Sequence, residues 1–239
     1  MLELAQVNAY RGAAHVLRGV SLHVNTAEVV CLVGRNGSGK TTTIDCIMGL
    51  LPVRSGKIAF QGRDVTRLPP HARAKLGIGY APEDTGIFPD LTVAENLQIS
   101  KWLVGDAKRG ATRSSSTDAD GKIFDLFPEL RALTERRGLY LSGGEKKMAA
   151  IARAMALEPS ILLLDEAFEG LAPVVVNRFR DAVHRIKEMG ISLLVAESNL
   201  ISATKVADRL YAIDRGEIIF EGDPRDAFAN DEVMKTIRG

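Results

Sequence analysis

The chain has 239 residues, enough for one large domain or one domain with a small insert, and its 46% hydrophobic and 26% charged residues suit a globular protein rather than a disordered one. Lys and Arg number 31 against 30 Asp and Glu, a net charge of +1 that argues against bulk electrostatic binding to nucleic acid. No window approaches the roughly 18 apolar residues of a membrane span, and MLELAQVNAY alternates apolar and polar residues without the apolar run of a signal peptide, so a soluble, cytoplasmic protein is expected.

Residues 1 to about 60 carry mostly strand signals: LELAQV, VSLHV, VVCLVG and KIAF. Between the last two, Ile44, Ile47 and Met48 fall on one helical face after GSGK, and Gly49 and Pro52 stop that helix. LGIGYAP (76–82) reads as a short strand ending at Pro82, followed by a helical insert whose first helix is LTVAENLQISKWL (91–103). Residues 105–121, rich in Gly, Ser and Asp, read as a mobile surface loop. Helical signals resume at 122–157. Strict alternation then follows: strand 161–165, helix 173–188, strand 191–196, helix 199–206 and strands near 209–221. Such alternation implies an α/β fold with a largely parallel sheet and helices on both faces. Cys31, in an apolar strand, and Cys46, in an amphipathic helix, read as small core residues of a reducing compartment, and neither has metal-ligand spacing.

Three motifs carry chemistry. GRNGSGKT (34–41) fits G-x-x-x-x-G-K-[ST], follows an apolar strand and leads into a helix. Gly34, Gly37 and Gly39 let backbone N–H groups curl around phosphate oxygens at a positively polarised helix end, with Asn36, Ser38 and Thr42 in the same cradle. Lys40 would reach the β- and γ-phosphates of ATP, and the Thr41 hydroxyl would ligate Mg²⁺. The plainer alternative is a glycine-rich turn capping a helix. ILLLDE (161–166) ends an apolar strand in two carboxylates, whose mutual repulsion calls for a cation or a shared proton. Asp165 suits a contact to Mg²⁺, and Glu166 suits the base that orients and deprotonates an attacking water. In LSGGE (141–145), Ser142 and Glu145 form a capping box, while Gly143 and Gly144 expose N–H groups as a ready anion site.

A P-loop, then LSGGE, then LLLDE, over nearly the whole chain, resembles the nucleotide-binding subunit of an ABC transporter. The resemblance implies a P-loop NTPase (RecA-like) core with an antiparallel β subdomain, in 1–82 and 158–239, and an inserted helical subdomain at about 83–157. It also implies that two such subunits sandwich ATP head to tail, the P-loop of one facing Ser142 and Gly144 of the other. The partner would be a second copy or a paralogous ATPase subunit, docked on two membrane permease subunits at the inner face of the membrane and served indirectly by a solute-binding protein; nucleic acid is not expected. Glu83 stands where most of the family has Gln, near the metal, and Ala172 stands where a D-loop Asp is commoner. Both resemble the LivF type, the second ATPase subunit of importers for hydrophobic and branched-chain amino acids. Urea- and amide-uptake relatives share these features.

Two positions depart from the family pattern. Arg11 holds the place of the adenine-stacking aromatic, and Tyr10 lies one residue earlier, so either Tyr10 or the Arg11 guanidinium would stack on the base. LLVAESNL (193–200) aligns with the switch region, where Ser198 replaces the family's histidine. Ser198 would act through a water at the γ-phosphate or simply cap the helix starting near Asn199. The alternative to an active importer subunit is a catalytically weak module in which ATP binding mainly controls dimerisation or regulation. Phe88, beside Pro89, would suit a groove for a permease coupling helix.

Overall fold

The computed structural model describes residues 1–105 and 116–238. The N-terminal strand signals form a hairpin, β1 (Leu2–Arg11) and β2 (Ala14–Val24), which pairs through β1 with β4 (Val53–Phe60) and then β5 (Arg63–Asp64). Leu2 and Leu4, then Val7 and Ala9, point inward from β1 with the period of two of a half-buried strand, and an irregularity at Gln6 (φ 50°) shifts the phase between the two pairs. This antiparallel sheet, in the order β2-β1-β4-β5, lies against a six-stranded one. The second sheet uses β3 (Val29–Val33), β6 (Ile78–Ala81), β7 (Ile161–Asp165), β8 (Ser192–Glu197), β9 (Arg209–Asp214) and β10 (Glu217–Gly222), in the order β10-β9-β3-β8-β7-β6. All neighbours in it are parallel except β10 against β9.

The strands β3, β7 and β8 are buried along their whole length because both faces of the sheet are covered. Val30, Leu32, Leu163, Leu194 and Ala196 share one core with Ile44 and Ile47 of α1 (Lys40–Met48) and with the antiparallel sheet. Cys31, Val33, Leu162, Leu164, Leu193 and Val195 face the other way. They pack with α3 (Val93–Gly105), α4 (Ser116–Leu126), α5 (Pro128–Arg131), α6 (Gly143–Met155), α7 (Pro173–Glu188) and α8 (Leu200–Thr204). The chain closes with α9 (Asp231–Arg238). Both cysteines are buried and free, as their apolar settings predict.

Of the expected surface loop, residues 106–115 lie outside the described residues, and from Ser116 the chain is helical rather than looped. Ser, Thr and Asp favour loops, but they also start helices, and composition alone does not separate the two. Sequence signals also missed α2 (Pro70–Lys75). That short helix delivers Arg73, 2% exposed, to the C-terminal end of α1. Its Nη1 donates to the carbonyls of Cys46 (2.6 Å) and Ile47 (2.7 Å), Nε to Leu68 (2.8 Å) and Nη2 to Thr66 (2.9 Å). The Cys46 and Ile47 contacts are buried, the other two part-buried. An Arg73→Met substitution should therefore destabilise the fold by about 3 kcal/mol, read as a lower urea midpoint at unchanged slope. A shift too small to resolve would show that the carbonyls find other donors.

Candidate active site

Strand order builds the site. β8 lies between β3 and β7, with Val33 opposite Glu197 and Asp165 opposite Ala196. The loops after β3, β7 and β8 therefore open side by side at the C-terminal edge of the sheet, the usual ligand edge of a parallel sheet.

The P-loop bends from β3 into α1 through Gly39, whose φ of 118° belongs to the region that favours glycine. At Gly34 the constraint is space: a Cβ would come within 2.4 Å of the Ile213 carbonyl oxygen. Asn36 and Gly37 form the exposed crest, whereas Ser38, Gly39 and Lys40 are buried. Lys40 Nζ donates to the carbonyls of Gly34 (2.8 Å) and Arg35 (3.2 Å). It also stands 3.0 Å from Glu166 Oε1, an ion pair whose alignment falls short of a hydrogen bond. Glu166 Oε2 accepts hydrogen bonds from both the backbone N–H and the hydroxyl of Ser198, each at 3.1 Å. The helix-cap alternative for Ser198 is thereby corrected. Asn199 is the cap, its Oδ1 accepting from Ser202 N–H at 3.0 Å, and Ser198 instead holds the carboxylate.

Asp165 is 1% exposed, and neither of its carboxylate oxygens has a hydrogen-bond partner. Burial pushes its pKa up to about 6, and the charges of Glu166 and Glu83 add to the rise while Thr41 and Lys40 oppose it. The buried Ser38 hydroxyl is likewise unpartnered. Orphaned acceptors beside a lysine and a glycine-rich loop at a helix N-terminus fit a divalent cation carrying phosphate. Among the described residues no cluster of three or more His, Cys, Asp or Glu could hold a metal alone.

Lys40, Ser38, Asp165, Glu166 and Ser198 are thus brought together, with the Thr41 hydroxyl beside Asp165 and the Glu83 charge within its electrostatic reach. Glu83 is exposed just beyond β6. Thr42 accepts a hydrogen bond from Arg11 Nε at 3.2 Å, and Arg11 Nη2 pairs with Asp45. Tyr10 is not brought to the P-loop: its ring stacks on His15 (centroids 4.4 Å apart, planes 4° apart), on the other face of β1. One step along a strand reverses the side chain, so Arg11 is the residue at α1. Ser142 and Gly143 are exposed at the start of α6, where Ser142 and Glu145 make the expected capping box. Among the described residues no hydrogen bond joins Ser142, Gly143 or Gly144 to the P-loop of the same chain.

Sequence reasoning gave Glu197 no role, although a charge closing an apolar strand is itself a signal. It is 1% exposed, and Oε1 accepts the Phe168 N–H at 3.0 Å. Burial raises its pKa to about 8, and the neighbouring Glu166 adds to the rise. The folded chain therefore binds this proton more tightly than the unfolded chain does, and stability should fall as pH rises from about 4.5 to 8. Glu197→Gln, which keeps the acceptor, should flatten that decline and be more stable at pH 8 by about 2–4 kcal/mol. Parallel stability–pH curves for the two proteins would contradict it.

A P-loop, an orphaned aspartate and a glutamate held at one sheet edge define a nucleotide-hydrolysing cassette. The ABC transporter family pattern matches residues 17–169, and the chain belongs to that family. It is 33% identical to the probable branched-chain amino acid transport ATP-binding protein LivF of Archaeoglobus fulgidus, over 100% of this chain and 99% of the relative. It is 34% identical to the lipopolysaccharide export system ATP-binding protein LptB of Escherichia coli K12, over 97% of this chain and 93% of that one. Among solved structures it resembles the ADP conformation of an ATP-binding cassette of an ABC transporter, with a TM-score of 0.84 and 28% identity over 100% of this chain and 98% of that one. The protein is an ABC-type ATPase with a P-loop NTPase fold.

Proposed function

We propose that this chain is the ATP-hydrolysing subunit of an ABC importer that takes up branched-chain amino acids or related small solutes. The observation that carries the catalytic part is the convergence of Lys40 and Ser198 on the two oxygens of Glu166, beside an unpartnered Asp165. Import rests on the LivF relative, matched along the whole chain; the LptB relative belongs to an export system.

In this reading the P-loop amides and Lys40 hold the β- and γ-phosphates, and Ser198 keeps the Glu166 carboxylate turned toward them. Glu166 takes a proton from water as the water oxygen bonds to the γ-phosphorus. The bond to the β,γ-bridging oxygen breaks, giving ADP and phosphate. Thr41 and Asp165, with Glu83 beyond, would hold Mg²⁺, which neutralises charge developing on the phosphates. Arg11, which bonds Thr42 and Asp45 of α1, would meet the base in preference to Tyr10, whose ring stacks on His15. The direct contact of Ser198 with Glu166 supports an active site over a weakened module.

Ser142, exposed at the cap of α6, and Gly144, half-buried in its first turn, would meet ATP on the P-loop of a second copy or a paralogue. Among the described residues no helix is long and apolar enough to cross a membrane, so transport requires permease subunits, with this chain peripheral to them. Phe88 is 46% exposed, held beneath the Arg153 guanidinium (5.6 Å to the ring centroid) and by the Asn96 side chain, whose Oδ1 accepts the Phe88 N–H at 2.9 Å. An exposed aromatic fixed from both sides suits a permease contact. Deleting this chain from its host should abolish ATP-driven uptake of labelled branched-chain amino acids, and restoring it should recover uptake. Undiminished uptake of those and of the urea and amide class would overturn the import reading.

A further inference from the structure

The backbone that carries Glu166 is held in an unusual way. Glu166 has a φ of 48°, a left-handed conformation that side-chain-bearing residues rarely adopt. Two contacts secure the segment to β8: Glu166 N–H donates to the Ala196 carbonyl at 2.9 Å, and Phe168 N–H donates to Glu197. The third hold comes from a different body. Lys147, on the helix that begins at Ser142, directs Nζ to the carbonyls of Glu166 (2.5 Å) and Glu169 (2.8 Å).

These two carbonyls bracket the turn that follows the base, and Glu169 N–H closes that turn on the Glu166 carbonyl at 3.3 Å. One ammonium therefore clips both ends of the turn to α6. A lysine bonding two carbonyls is a charge-assisted tether on a flexible stem, unlike a packed side chain. A small void lies beside the tether, lined by Lys147, Ala150, Ile151, Asp165, Ala167 and Phe179, while the apolar members of that lining pack in one core.

We infer that Lys147 is a positioning residue that fixes the Glu166 backbone to the helix starting at Ser142, so that the base is aligned only when that helix is seated. The inference rests on the reading of Glu166 as base and of Ser142 and Gly144 as contacts to the ATP of a second subunit. Lys147 then makes the seating of α6 on one nucleotide felt at the base serving the other, without touching either.

The test compares Lys147→Met, which keeps the stem and removes the ammonium, with Lys147→Arg, which restores a cation with donors. Steady-state hydrolysis of MgATP should show kcat reduced roughly tenfold in Lys147→Met with KM changed less than about twofold, the mark of an alignment lost rather than a binding contact. Lys147→Arg should recover most of kcat, and both variants should bind ATP as wild type does. Overturning results are a wild-type kcat in folded Lys147→Met, a loss confined to KM, or an equal loss in both variants. If Lys147→Met does not fold, Lys147→Gln is assayed instead; failure of all three to fold would also overturn the inference, marking a structural lysine. Normal hydrolysis by Glu166→Gln would instead sink the underlying reading of the base, whereas an inactive Glu166→Gln beside a fully active Lys147→Met would sink the tether alone.

Discussion

Replacing Glu166 by Gln should lower steady-state ATP hydrolysis by about 10²–10⁴-fold, the range expected when a general base is removed. The substitution keeps the shape of the side chain, and its amide oxygen can still accept from Ser198, so the geometry of the edge is preserved. The negative charge is lost, and with it the capacity to take a proton from water. ATP affinity should hold or improve, because a negative charge 3.0 Å from Lys40 no longer competes with the phosphates for that cation. Phosphate release against time, with nucleotide binding measured in the same preparation, checks both halves of the expectation.

Lys40→Met should be the most damaging change to binding. The lysine is 4% exposed, and its ammonium faces two carbonyls and Glu166 with no solvent to replace it. Losing a charge-assisted phosphate contact should weaken ATP binding by about 100-fold or more. The nucleotide-free chain should suffer as well, since Glu166 is left buried beside Asp165 without its cation, a situation worth about 3–5 kcal/mol. Glu166→Gln in the same chain should restore much of that stability but none of the binding. Isothermal titration and denaturant unfolding of the single and double variants form the cycle that separates the two effects. Additive stability losses would contradict the coupling.

The parts of the site that could be read from sequence are those in which chemistry is local. The P-loop spacing, the paired carboxylates after an apolar strand and the capping box each lie within a few residues, and each takes its expected shape in the fold. Ser198 was harder. Its alignment with the switch region pointed to the γ-phosphate, but its bond to Glu166 depends on β8 lying beside β7, and the order of strands is not written in any single strand. Tyr10 and Arg11 were left as two open candidates, and the fold turns Arg11 to α1 and Tyr10 onto His15. Arg73 and Lys147 gave no signal, since a basic residue on a short or amphipathic helix reads as solvated until its carbonyl partners are known.

The central claim is that ATP is cleaved at this sheet edge with Glu166 as base, and the nucleotide left on the protein tests it most directly. Glu166→Gln and wild type are incubated with MgATP, freed of unbound nucleotide, and the bound species are separated and quantified. Intact ATP on Glu166→Gln, with ADP on the wild type, is the predicted outcome. ADP on both proteins in equal proportion would contradict the account.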